Sequence, residues 1–155
     1  MNSANFLPTE AIVVALKATT KRNLLQDIAD VAASQSELGA REIFDALLQR
    51  ERLGSTGIGN GIAIPHAKFA SLTQLKGLFF QLDKPIEFEA LDGQMVDLIF
   101  VLLAPEGAGA DHLKGLARVA RVMRDPVTAA LLRKTRDTAV IREAFQTGAL
   151  PSQAA

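Results

Sequence analysis

The chain has 155 residues, 17 basic and 17 acidic side chains, eight Phe as its only aromatics, and no Cys. That length suits one domain with a real core, and 48% apolar residues exclude a disordered body. A disulfide scaffold and thiolate catalysis are excluded outright, and zero net charge with so few aromatics argues against a nucleic-acid binder.

Residues 1–6 lack a basic leader, and the apolar run 11–16 is too short for the core of a signal peptide. The longest uncharged apolar run, 98–104, falls far short of the roughly 20 residues that span a bilayer. The expected location is the cytoplasm, without membrane insertion.

Residues 12–16 read as a short buried strand. Thr19 or Thr20 can cap a first helix with Leu24, Leu25, Ile28, Val31 and Ala32 inward, broken by Ser34–Ser36 and Gly39. A second helix starts near Ala40, buries Ile43, Phe44, Leu47 and Leu48, and ends at Gly54 with Arg50 and Arg52 in its last turn. A glycine-rich loop follows, and residues 62–64 can pair as a strand, which places His66 at the rim of a sheet. Residues 77–82 read as a strand, 86–88 as a half-buried one, and Asp92-Gly93 as a turn into 96–103, the expected central strand. A loop over 105–110 leads to a helix capped by Asp111, with Leu113, Leu116, Ala117, Ala120 and Met123 as its inner face. Asp125-Pro126 restarts a short helix, and Asp137 caps a last one with Val140, Ile141, Ala144 and Phe145 inward. The alternation predicts an α/β fold, a mixed sheet of about five strands between helices. Residues 1–147 then form one domain, and 148–155, small and polar, read as a flexible tail.

The chemistry concentrates in Gly54–Lys68. Four glycines fall within eight residues, and Pro65 constrains the backbone just before His66, one of only two histidines. The run Gly57-Ile58-Gly59-Asn60-Gly61 lacks the spacing and the strand-to-helix order of a dinucleotide fingerprint, and no P-loop Lys follows it. What remains is a set of backbone N–H groups beside Ser55 and Thr56, suited to an anion, or simply a structural loop. An imidazole next to such a loop is largely deprotonated near neutrality and can accept a phosphoryl group. His112 stands where ligand sites of α/β sheets gather, but a solvent-facing helix start reads equally well. Arg50 is either a favourable cation at a helix C-terminus or a counter-charge for a phosphoryl group. No metal-ligand spacing links the two histidines, and no metal site is expected.

Gly54-Ser55-Thr56-Gly57-Ile58-Gly59-Asn60-Gly61-Ile62-Ala63-Ile64-Pro65-His66-Ala67-Lys68 resembles the active-site motif of phosphotransferase-system enzyme IIA domains of the fructose/mannitol class. It looks closest to the nitrogen-related, regulatory branch. Asp92-Gly93-x-x-Val96 and Asp111-His112-Leu113 occur in the expected order, so the resemblance covers about residues 8 to 146. It implies that His66 carries the phosphoryl group on Nε2, that His112 donates a hydrogen bond to it, and that Arg50 stabilises its charge. Ser55 and Thr56 match the small polar residues of that motif, and with the backbone amides of Gly57, Gly59 and Asn60 they are expected to form the phosphoryl-binding loop, with no cofactor. The implied donor is an HPr-like phosphocarrier, itself charged from phosphoenolpyruvate by enzyme I, and the output is regulation of partner proteins. The other readings are a sugar-transport IIA subunit passing phosphoryl to a IIB domain, and a non-covalent anion-binding module. A His-dependent hydrolase has no nucleophile elbow to support it.

Overall fold

A computed structural model describes residues 6–148. The expected tail lies outside these residues, except for Gly148 at the end of the last helix. A 3-10 turn, Thr9–Ala11, leads into β1 (Ile12–Leu16), followed by α1 (Lys21–Ser34) and α2 (Ala40–Arg52). Then come β2 (Gly57–Gly59), β3 (Ile62–Ala63), β4 (His66–Phe69), β5 (Lys76–Ile86) and β6 (Val96–Pro105). The chain closes with α3 (Ala110–Arg124), α4 (Pro126–Lys134) and α5 (Thr138–Gly148).

The strands form one mixed sheet of six, in the order β1-β5-β6-β3-β2, with β4 also pairing with β6. The α/β class is as expected, with one strand more than the sequence reading. β6 is the centre: it runs antiparallel to β5 on one side and parallel to both β3 and β4 on the other. Every residue from 98 to 104 is buried, as both faces of the sheet must be covered for so apolar a strand. α1 and α2 pack as a pair, with α2 against β4, while α3 and α4 lie on β6 and α5 on β1. Thr20 caps α1 by accepting from the Asn23 N–H, and Asp125 caps α4 through Thr128, with Pro126 in the first turn.

Three parts of the sequence reading change. Residues 86–88 are not a separate strand: β5 runs through to Ile86, which pairs with Val96 across an irregular stretch of register that accommodates Pro85. The glycine-rich segment is not an open loop but a hairpin, β2 against β3, turned at Asn60 (φ 58°) and Gly61 (φ 79°). Both residues have the left-handed backbone that a two-residue hairpin turn requires, and Asn-Gly is the strongest short signal for it.

The third change concerns α3. Its buried face is His112, Gly115, Val119, Val122 and Met123, whereas Leu113 is 67% exposed. Of the expected inner face, Met123 is buried and Leu116 and Ala120 pack against the core, while Leu113 and Ala117 face solvent. Asp111 does not cap this helix either. It lies in the first turn, and Gly109 (φ 41°) is the capping residue.

Candidate active site

The sheet carries His66 to its place. Beyond β3 the chain steps along the edge of β6: the Leu102 N–H donates to the Pro65 carbonyl, and His66 opens β4 in register with Leu102. The imidazole thus opens an edge strand that pairs only with β6, half-buried at the rim of the sheet as the sequence led one to expect. Behind Leu102 stands Gly115 of α3, where a Cβ would lie 3.3 Å from Leu102 Cδ2. The missing side chain lets α3 approach β6 closely, and His112, one turn earlier on the same face, is brought over His66. The two ring centroids are 5.3 Å apart in an edge-to-face arrangement.

The hydrogen bonds on His66 fix its tautomer. Nδ1 lies 2.9 Å from the Ile64 carbonyl oxygen, which can only accept, so Nδ1 carries the proton. Nε2 therefore holds the lone pair, and it accepts from Arg50 Nε at 3.2 Å. Arg50 is itself held by donation from Nη1 to the Gly54 carbonyl at 2.9 Å, where the chain leaves α2. Burial, above all, lowers the His66 pKa, and the Arg50 guanidinium lowers it further; the Ile64 carbonyl and the Glu51 carboxylate oppose the shift. His112 is lowered too, by burial first and then by His66 and Lys68. Two neutral imidazoles and a guanidinium result, with a nucleophilic nitrogen facing the cation. His112 Nε2 is buried and has no partner among the described residues, so the site contains an unmet hydrogen bond.

The other expected residues divide. Ser55 Oγ donates to the Phe88 carbonyl and accepts from the Gly57 N–H, which shapes the turn after α2. Thr56 gives both its N–H and its hydroxyl to Glu51 and accepts from the Ile64 N–H. Gly57 is a strand residue paired with Ala63.

Gly59 and Asn60 are not brought to His66. The Gly61 carbonyl bonds to Asp97 and Leu98, whereas His66 pairs with Leu102. Four to five strand residues at about 3.3 Å each put the hairpin tip about 15 Å away. Its groups are also engaged: the Asn60 N–H donates to Asp92, and its carbonyl accepts from Arg133. The expectation that Gly59 and Asn60 hold a phosphoryl group on His66 fails on that distance.

Glu51 and Lys21 escaped the sequence reading. Glu51 is buried, 7% exposed, and pairs with Lys21 Nζ at 3.0 Å. A signal existed: Glu51 follows Leu47 by four residues, so a carboxylate occupies the inward face of an amphipathic helix. Among the described residues no three His, Cys, Asp or Glu side chains gather as a metal-ligand set. No described helix is long and apolar enough to cross a membrane.

Residues 5–147 match the sequence model of the family described as phosphoenolpyruvate-dependent sugar phosphotransferase system, EIIA 2. The chain belongs to this family. Among EIIA 2 relatives it is 52% identical over 141 residues to a nitrogen regulatory protein of Bradyrhizobium diazoefficiens, covering 91% of this chain and 92% of that protein. It is 42% identical over 131 residues to the nitrogen regulatory protein of Klebsiella oxytoca, covering 84% and 81%. The crystal structure of nitrogen regulatory protein IIA-Ntr from Neisseria meningitidis superposes with a TM-score of 0.87 at 34% identity, over 90% of this chain and 96% of that one. The EIIA 2 fold is thus shared along nearly the whole described length.

Proposed function

We propose that this EIIA 2 domain is a cytoplasmic phosphohistidine carrier of the nitrogen-related phosphotransferase branch, with His66 as the acceptor. The observation that carries the reading is the convergence of His66, Arg50 and His112, with the lone pair of His66 on Nε2, where it accepts from Arg50. The 52% identity to a nitrogen regulatory protein supports the branch.

The donor is the phosphohistidine of an HPr-like protein, charged from phosphoenolpyruvate by enzyme I. His66 Nε2 attacks phosphorus in line, a new N–P bond forms, and the donor N–P bond breaks with its electron pair remaining on the donor imidazole. Nδ1 keeps its proton throughout. Little covalent work falls to the protein, so positioning and charge stabilisation dominate. The guanidinium, displaced from the lone pair, pairs with the phosphoryl oxygens. His112 donates to them from Nε2, in the tautomer that carries its proton there. The turn at Ser55 and Thr56 is tied to the strand before His66 by the Ile64 N–H, which donates to the Thr56 carbonyl, and no metal or cofactor enters the step. Phosphorylation adds a charge near −2 at pH 7, by analogy with other phosphorylated side chains, to a chain of zero net charge. The output is phosphorylation-dependent binding of regulatory target proteins.

The test is intact mass after incubation with phosphoenolpyruvate, enzyme I and an HPr-like carrier. The expected gain is one phosphoryl group, labile in acid, stable in alkali and absent from His66→Ala. A gain that persists in His66→Ala would overturn the assignment. An anion lost on denaturation would leave the non-covalent reading, and onward transfer to a IIB domain would move the chain to the sugar-transport branch.

A further inference from the structure

We propose that Glu51, balanced by Lys21, is a positioning residue for His66, so that the last turn of α2 holds both nitrogens of the acceptor imidazole. The proposal rests on His66 as acceptor. Arg50 acts directly, donating to Nε2. Its neighbour Glu51 acts on the opposite nitrogen through a continuous chain of hydrogen bonds. Glu51 takes the N–H of Thr56 at 3.1 Å and also its hydroxyl. The Thr56 carbonyl accepts the Ile64 N–H at 3.0 Å, and the Ile64 carbonyl accepts from His66 Nδ1 at 2.9 Å. Displacing Thr56 therefore displaces the carbonyl that selects the reactive tautomer.

A purely structural role would not need a carboxylate. Position 51 continues the apolar face of Ile43, Phe44 and Leu47, where leucine would extend the core. A buried ion pair seldom repays the desolvation of both its charges, so it is weak evidence of stabilisation. What the carboxylate does supply is two acceptors for the two donors of one residue. Its charge is a liability beside a phosphoryl dianion, and this gives Lys21 its role. Lys21 Nζ lies 3.0 Å from Glu51 and 3.5 Å from Glu89, and sits 4.5 Å from the centroid of the Phe88 ring. It neutralises Glu51 without approaching His66 as Arg50 does. The charged and titratable groups acting on His66 are Arg50 and Glu51, and those acting on His112 are His66 and Lys68.

The experiment is an NMR titration of the His66 imidazole in the full chain, for Glu51→Gln, Lys21→Met and the double variant, with the rate of phosphorylation by an HPr-like donor measured in parallel. Glu51→Gln removes a negative charge and leaves Lys21, so the His66 pKa falls. Lys21→Met leaves the carboxylate uncompensated, so the pKa rises, and the double variant returns toward wild type. Glu51→Gln slows transfer by about tenfold to a hundredfold, the usual cost of a misplaced reacting group. A His66 pKa that stays put in both single variants while unfolding midpoints drop would overturn the proposal and leave a fold brace. Absence of phosphorylation in the wild type would count against His66 as acceptor, while the titrations still decide whether Glu51 positions it.

Discussion

Removing the Arg50 guanidinium makes two opposed changes at His66, and their balance can be estimated. In the resting site Arg50 Nε donates to the Nε2 lone pair at 3.2 Å, an interaction that must break before attack. A hydrogen bond involving an ionised donor contributes about 1.5 kcal/mol at the low end of its range, suited to this partly buried pair. Its loss in Arg50→Ala lowers the barrier by that amount. On the other side, losing one preorganised donor to transition-state charge typically costs about 2.7–4 kcal/mol. The net is about 1.2–2.5 kcal/mol, a roughly eightfold to seventyfold slower transfer at about 1.36 kcal/mol per decade. The same substitution removes a nearby positive charge, so the His66 pKa must rise. Rapid-quench measurement of phosphoryl transfer at saturating donor, with an NMR titration of His66, checks both numbers. A rate within twofold of wild type, or a His66 pKa that falls, would refute the account of Arg50.

His112→Leu should separate stability from function. It removes a buried, unpartnered Nε2, so chemical denaturation should show a gain of about 1 kcal/mol, while transfer slows by about 10²–10³-fold but still reaches full stoichiometry. Equal or lower stability would show that Nε2 is satisfied in solution. Both histidines have folded pKa values below 6.5, so between those values and 6.5 the unfolded chain binds more protons. Their contribution is therefore complete above about 6.5 and declines as pH falls through it toward the folded values. Urea unfolding from pH 8 to 5 should show that decline, and His66→Ala with His112→Leu should flatten it; a wild-type profile without the decline would contradict the burial of the two rings.

Much of this was legible from local pattern. The strand at Ile12–Leu16, α1 with its Thr20 cap, α2, the Asp125-Pro126 start of α4 and the apolar β6 all follow from side-chain period and capping chemistry. The histidine motif pointed to His66, Arg50 and His112 before any geometry was known. The misreadings have physical causes. In α3 the exposed Leu113 and the buried His112 invert the usual preferences, and hydropathy alone then phases the helix by Leu113. Gly115 was the corrective signal, since a glycine inside a helix often marks close packing on that face. The Asn60-Gly61 turn was present in the sequence but was overshadowed by the glycines around it. Contacts across the chain left no local trace: Gln81 donates to the carbonyls of Leu132 and Thr135, and Lys21 reaches Glu51 from another helix. Such pairs exist only once the sheet has assembled.

Ile64 holds the proton on Nδ1 and leaves the His66 lone pair on Nε2. Under the proposed function, the backbone thereby chooses which nitrogen accepts the phosphoryl group. The most direct test is a long-range proton–nitrogen correlation spectrum of the uniformly labelled protein after phosphorylation, with phosphorus coupling used to assign the modified nitrogen. The account predicts one phosphoryl group, on Nε2 of His66, with Nδ1 still protonated. Phosphorus on Nδ1 of His66, or on either nitrogen of His112, would contradict it.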